Sequence, residues 1–256
     1  MSDTISKPRR KRGWMNLEVK EVLKETHDTK TFLFKDAESQ DVPFDYRAGQ
    51  YLTFRFDDLS EKPIVRSYTM SSSPCQQDYI AVTVKAVPKG LVSNWFIDSV
   101  EQGMILKARG PIGKFCFFPQ ESQKNLVMVA AGSGVTPFVS ILRQYQDTLG
   151  SSDAPKSMVL LVAYRSQDDL ICWQELLEFS KKTNIKIVTT LTRENAKSDR
   201  FIHGRPDQEM FDKVVEGNYE NSIFMTCGPQ GLMDMVTGHL QTKNVPEDCI
   251  LTESFD

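Results

Sequence analysis

Between residues 17 and 119 apolar and polar positions alternate in short runs: LEVKEVLKE, TKTFLFK, QYLTFRFD, RSYTMSS, YIAVTVKAV and MILKARGP. A period of two is what a strand with one face on a core produces. Turn residues such as Pro43, Gly49, Pro74 and Gly103 separate the runs. The pattern predicts antiparallel strands closing into a small barrel, interrupted by one helix over SNWFIDSV, just after Pro88, Lys89 and Gly90. From Asn125 the period changes. NLVMVAAG, MVLLVAYR, IKIVTTLTR, SIFMTCGP and CILTESF are apolar runs that alternate with helical stretches, the signature of a parallel sheet wrapped by helices. The expected architecture is therefore two domains: an antiparallel β-barrel over residues 15–121 and an α/β doubly wound parallel sheet of five strands over residues 122–256. The boundary falls near FPQESQK, and residues 1–14 are expected to form a basic, disordered tail.

At 256 residues and 40% apolar content the chain can bury two cores of ordinary size. No apolar run approaches the ~20 residues that span a bilayer, and the N-terminus has charge where a signal peptide has its apolar stretch, so the expected location is the cytoplasm, without membrane insertion. The five cysteines, at 75, 116, 172, 227 and 249, are scattered and encode neither a disulfide framework nor an iron-sulfur or zinc site. No metal is expected. Residues 1–13 carry five lysines and arginines against one aspartate, a local +4 that leaves −7 on the rest of a chain of net charge −3. KPRRKR reads either as a solvated tail or as an arm that docks an acidic partner. An acidic body with no second basic patch argues against nucleic-acid binding.

The second half carries the firmer chemistry. VMVAAGSGVTPFVSIL is a buried strand followed by Gly132, Ser133 and Gly134, with Thr136 as the expected N-cap and Pro137 at the first helical position. Such a turn brings backbone amides at a helix N-terminus to an anion. The fourth strand ends in TCGPQGLMDMV, a second glycine turn opening a second helix. In a sheet of order 3-2-1-4-5 the first and fourth strands are neighbours, and the crevice lies where the winding reverses between them, so both turns face one pocket. It reads as a dinucleotide site that lacks the third glycine of the usual fingerprint and has no acidic residue ending the second strand. Arg165, Ser166, Thr192 and Arg193 end the strands instead, where an adenosine ribose would lie; they suit a 2′-phosphate and read equally well as ordinary solvent-exposed loop residues.

Four motifs in this order, RSYT, GLVS leading into NWF, GSGVTP and CGP, resemble the ferredoxin-NADP reductase superfamily. Within it the chain resembles the reductase components of bacterial oxygenases and hybrid-cluster-type oxidoreductases, over residues 16 to 256. The resemblance implies that the RSYT strand lines a flavin. Arg66 would then pair with the diphosphate, Tyr68 would lie against the ring or ribityl chain, and Thr69 would hydrogen-bond near the reactive nitrogen, with Ser67, Val82 and Val84 on the same cofactor. An arginine fork, a phenol and a hydroxyl suit those partners. Gly90, Leu91, Val92 and Ser93 would bring a helix N-terminus to the phosphates. Ser71, Ser72 and Ser73 read equally well as cofactor donors or as turn polarity. Gly132, Ser133, Gly134, Thr136, Pro137, Cys227, Gly228 and Pro229 would surround the nicotinamide, with Arg165 and Arg193 on the nucleotide. By the same resemblance Glu253 would assist proton traffic and Phe255 would cover a ring face, with Thr69, Cys227 and Glu253 nearest the chemistry. His27, His203 and His239 match no motif and are expected to be surface or structural.

The reading is an NAD(P)H-dependent flavoprotein reductase, a monomer holding FAD rather than FMN, with NADPH somewhat favoured over NADH. It would pass electrons to a separate [2Fe-2S] ferredoxin or oxygenase component. In many relatives the segment matching ESF leads into an iron-sulfur domain, whereas this chain stops at Asp256 without its cysteines, so such a domain is either a separate protein or removed. Two alternatives stay open: a reductase of free flavin or ferric chelates, and an electron-relay subunit of a larger complex.

Overall fold

The structure, a computed structural model, describes residues 11–118, 124–148, 154–195 and 198–255. Its first half is six antiparallel strands, β1 (Trp14–Lys24), β2 (Thr29–Asp36), β3 (Tyr51–Phe56), β4 (Ile64–Thr69), β5 (Ile80–Lys85) and β6 (Ile105–Ile112), in the order β4-β3-β6-β1-β2-β5. A bridge between Met70 and Val82 joins the two ends of that order and closes the barrel, so the end strands are paired at that point. One helix, α1 (Leu91–Ser99), lies between β5 and β6. Its Phe96 is fully buried and meets Phe32 at 5.1 Å and Phe54 at 5.5 Å between ring centroids. Deleting that ring would cost about 3–5 kcal/mol.

The second half is β7 (Asn125–Ala131), α2 (Thr136–Asp147), β8 (Met158–Tyr164), α3 (Trp173–Ser180), β9 (Ile185–Leu191), β10 (Phe201–His203), α4 (Gln208–Val215), β11 (Ser222–Cys227), α5 (Gln230–Thr242) and β12 (Ile250–Glu253). All its strand pairs are parallel, in the order β10-β9-β8-β7-β11-β12. The continuous apolar runs have the expected cause, burial of both faces. Leu126, Met128 and Ala130 pack with α2 and α3 residues, while Val127 and Val129 pack with α4 and α5. The sheet has six strands where five were expected. The extra one, β10, is only FIH, too short for a periodic signal, and is held by its pairing with Thr189–Leu191.

Of the expected tail, residues 1–10 lie outside the described residues, as does most of the expected boundary segment. Residues 11–14 belong to the barrel rather than to a tail. Lys11 bonds to Asp36 at 2.9 Å and Glu38 at 2.8 Å, and Trp14 opens β1.

The two halves are stitched by polar contacts and an apolar plug. From α2, Arg143 Nη1 donates to the Ser71 carbonyl at 2.8 Å and Ser140 Oγ to the Ser72 carbonyl at 2.6 Å. The Cys172 amide donates to Glu25 at 3.1 Å. Lys85 stands between Asp28 at 2.6 Å and Asp169 at 3.3 Å. The plug is Phe115, which follows β6 yet is buried in the α/β core, 5.9 Å from Phe138 between centroids. Its carbonyl lies so close to Gly49, at φ +97°, that a Cβ there would stand 1.9 Å from it.

Candidate functional site

On the barrel, β4 sets the geometry. Ile64, Arg66 and Tyr68 pair with Phe56, Phe54 and Leu52 and share their face of the sheet. Tyr68 packs edge-on against Phe96 of α1 at 5.2 Å, so Arg66 and α1 occupy the same side. Arg66 is exposed; its Nη1 donates to the neighbouring Val65 carbonyl at 2.7 Å, and it has no carboxylate partner among the described residues. Burial pushes the Tyr68 phenol up to about 12, against the opposing pull of the Arg66 cation, so the ring presents a neutral hydroxyl. Thr69 is 5% exposed, and its hydroxyl has no protein partner among the described residues. Ser67 points to the other face and shares a hydrogen bond with Thr53 at 3.0 Å.

Gly90 is the N-cap of α1, and no side chain caps that end. A Cβ at 90 would meet Val87 Cγ2 at 2.4 Å and Ser93 Oγ at 2.5 Å. The Ser93 hydroxyl accepts from the Val87 amide at 3.2 Å, holding the turn that leads into the helix. The first amides of α1 are thus left to solvent or a ligand. Leu91 is exposed, Val92 buried. Val82 and Val84 do not join this group. Both side chains are fully buried in the barrel core, because β5 is covered on both sides, so only their main chain is left to meet a ligand.

In the α/β half the two glycine turns touch. A Cβ on Gly134 would stand 2.3 Å from the Cys227 carbonyl and 3.1 Å from Gly228 Cα. Gly228, at φ +151°, has the Ala131 amide 3.2 Å from its own Cβ position. Pro229 is the N-cap of α5. Gly132 (φ +55°) and Ser133 lie in a 3-10 turn, Gly132–Val135, that runs straight into α2. That continuity overturns the expected cap: Val135 is the N-cap and Thr136 is already helical, its hydroxyl donating to the Ser133 carbonyl at 2.9 Å. Pro137 sits in the first turn, as its fixed φ favours.

Cys227 is fully buried; burial, and next the Glu253 carboxylate, push its thiol well up, so it stays protonated. Glu253 pairs in register with Cys227 across β11 and β12, and burial raises its carboxyl above the ordinary range. Burial and Glu253 raise the Cys116 thiol to about 11, with Arg47 opposing. Beside Cys116 a cavity of about 410 Å³ opens, lined also by Tyr46, Arg47, Gln50, Lys114 and Phe118. Phe255 is exposed.

Arg165 and Arg193, both exposed, end adjacent strands and are joined by a backbone bond, Arg193 N–H to the Arg165 carbonyl at 2.9 Å. Neither has a carboxylate partner among the described residues. Ser166 is not free beside them: its hydroxyl donates to Asp169 at 2.8 Å in a capping box. His27 and His203 are exposed, and His239 is buried against Asp212 at 2.6 Å. His27, Asp28 and Asp169 come close enough to hold a cation, but the Lys85 ammonium already bridges the two carboxylates.

Sequence reasoning missed the stitch itself. Ser71 and Ser72 are fully used inside the protein, their hydroxyls on Thr83 at 2.9 Å and Tyr46 at 2.6 Å and their carbonyls on α2. The run of serines was the available signal; carbonyl acceptors leave none.

Comparison with known proteins agrees with this fold. The family model "Oxidoreductase FAD-binding domain" matches residues 16–117, and "Oxidoreductase NAD-binding domain" matches residues 128–238. The ferredoxin reductase component of 3-ketosteroid-9-alpha-monooxygenase from Rhodococcus rhodochrous is 30% identical over 94% of this chain and 64% of its own length. The glycine betaine monooxygenase reductase subunit of Pseudomonas aeruginosa is 30% identical over 94% of this chain and 65% of its own. The chain thus spans just under two thirds of these curated relatives. Among solved structures, the FAD/NAD-binding domain of nitric oxide dioxygenase from Vibrio cholerae superposes with a TM-score of 0.81 at 23% identity, covering 95% of this chain and 99% of that one. A ferredoxin NADP+ reductase from Neisseria gonorrhoeae with bound FAD and NADP gives 0.78 at 20% identity, over 96% and 100%. Both share the fold.

Proposed function

The chain belongs to the family of oxidoreductases that join an FAD-binding domain to an NAD-binding domain, and from that premise we propose that it is an NAD(P)H-dependent flavoprotein reductase serving a separate iron-sulfur ferredoxin or oxygenase component. One observation carries the reading. Two complementary half-sites, the Arg66 and α1 face and the Gly134–Cys227 contact, stand on domains stitched together through Ser71 and Ser72. FAD held between them would supply the redox chemistry, accepting a hydride and releasing electrons one at a time.

The chain's own residues bind and shield. The unpaired Arg66 fork and the open end of α1 hold the diphosphate. Tyr68 would pack against the flavin, and the free Thr69 hydroxyl would be available to hydrogen-bond it. Gly132 to Pro137 and Cys227 to Pro229 admit the nicotinamide end of the nucleotide by carrying no bulk. The neutral Cys227 thiol adds no charge beside the ring, while Glu253 would assist proton traffic and Phe255 would screen the flavin. Arg165 and Arg193, two adjacent cations without carboxylates, favour NADPH over NADH. The setting proposed is a cytoplasmic monomer; five unbridged cysteines suit a reducing compartment.

The test is an anaerobic visible spectrum before and after NADH, and separately NADPH, with the released flavin identified and the reduced protein then offered a ferredoxin or a ferric chelate. Bleaching by either nucleotide with turnover only on the protein acceptor is the expected result. Turnover on the chelate that no protein improves would favour the free-acceptor alternative. Bound flavin that neither nucleotide reduces would favour a relay subunit, and a protein that cannot be reconstituted with FAD or FMN would sink the proposal.

A further inference from the structure

We propose that Arg143 is a positioning residue for hydride transfer, fixing the nicotinamide turn against the flavin strand; the inference rests on the reductase reading. Thr136, Ser140 and Arg143 are spaced i, i+4, i+7 along α2 and so share one face of it. The first is the residue that follows the GSGV turn. The other two reach out of their domain to the carbonyls of Ser72 and Ser71, at 2.6 Å and 2.8 Å, only three and two residues beyond Thr69. One helical face therefore connects the two half-sites directly.

The guanidinium is held from both sides. Its Nε and Nη2 donate to the Glu175 carboxylate of α3 at 2.9 Å and 2.6 Å, leaving Nη1 for the Ser71 carbonyl. A bidentate fork fixes the direction of the remaining N–H, which a lysine cannot do. Glu175 also neutralises the cation where it is three-quarters covered. Other interdomain links, Glu25 with Cys172, Lys85 with Asp169 and His27 with the Asp168 carbonyl, join other elements, and Phe115 meets Phe138 of α2 from the segment after β6. They keep the domains together without Arg143 but do not set α2 against the chain after β4. A displacement of about 1 Å at that point is enough to slow a transfer that depends on contact distance.

The test is single-turnover reduction of flavin-loaded protein by NADPH and NADH, with nucleotide Kd, flavin content and thermal midpoint measured alongside. For Arg143→Ala the hydride-transfer rate should fall about 10-fold or more while the nucleotide Kd changes less than about 3-fold and flavin stays bound. Arg143→Lys should restore only part of the rate, and Ser140→Ala should lower it by a smaller factor. Glu25→Ala, which opens the interface elsewhere, should lower the thermal midpoint and leave the rate in place. An unchanged rate in Arg143→Ala, or a fall matched in Glu25→Ala, would overturn the inference while leaving the reductase reading intact. Wild-type protein that neither nucleotide reduces would remove the reading and this inference with it. If Arg143→Ala does not fold, Ser140→Ala and Arg143→Lys decide the same question.

Discussion

In the cleft between β7 and β11 the atoms that matter are backbone: a single carbon added to Gly134 would stand 2.3 Å from the Cys227 carbonyl. On the flank of the barrel they are largely side chains: the Arg66 side chain reaches into solvent, bonded among the described residues only to the carbonyl of its neighbour. On the proposed function both regions hold a nucleotide, one by withholding side chains and the other by presenting them. The first kind of site is part of the packing, so damage to it is damage to the fold. The second kind sits on top of the packing and can be changed without touching it.

Several substitutions would break or sharpen that contrast. Gly134→Ala should be the most damaging, costing about 3 kcal/mol or more by overpacking rigid backbone. Gly132→Ala should cost only about 1 kcal/mol, because nothing lies within 4 Å of its Cβ position and only the left-handed φ resists. Chemical denaturation of both variants checks this, and equal losses would refute the steric argument. Arg66→Ala should leave the unfolding transition of the flavin-free protein within about 0.5 kcal/mol of wild type and weaken flavin binding about 10- to 100-fold. A fall in stability as large as that for Gly134→Ala would erase the distinction between the two regions. The double variant Arg165→Ala/Arg193→Ala should lower the ratio of kcat/KM for NADPH over NADH by about 10-fold; an unchanged ratio removes both arginines from the nucleotide site.

The smallest effect concerns Glu253, which sits beside the cleft but is a side chain. Burial raises its carboxyl in the folded state, so the folded protein holds that proton more tightly than the unfolded chain does. Stability is therefore lost as pH rises from the ordinary glutamate value, about 4.3, through the raised one. Glu253→Gln should match wild type at the acid end and gain on it as pH rises across that window. Thermal midpoints at a series of pH values test this, and a difference independent of pH would rule out the carboxyl as its cause.

The barrel and the doubly wound sheet were legible because a change of hydrophobic period from two to continuous runs reports directly whether strands are covered on one face or both. Gly132, Gly134, Cys227 and Gly228 were legible because two glycine turns at the ends of neighbouring strands must converge. The pattern was misread where a residue type fits two environments. Thr136, a good cap by type, lies inside a helix because a 3-10 turn precedes it. The role of Arg143 was invisible for another reason. Its partner is a main-chain oxygen 72 residues away, and any residue at position 71 supplies one.

Phe115 sets the limit of modularity in this chain. Both family boundaries fall after it, at 117 and 128, yet its ring belongs to the core of the following domain and its carbonyl closes over Gly49 of the preceding one. A recombination event at that boundary would carry the barrel away with an aromatic side chain that has lost Phe138, and would leave a hole in the α/β core. The unit that can be exchanged between relatives is thus the joined pair, or a barrel whose last segment is exchanged along with its neighbour. A chimera cut after residue 112 should fold better than one cut after residue 118, although the second respects the family boundary more closely.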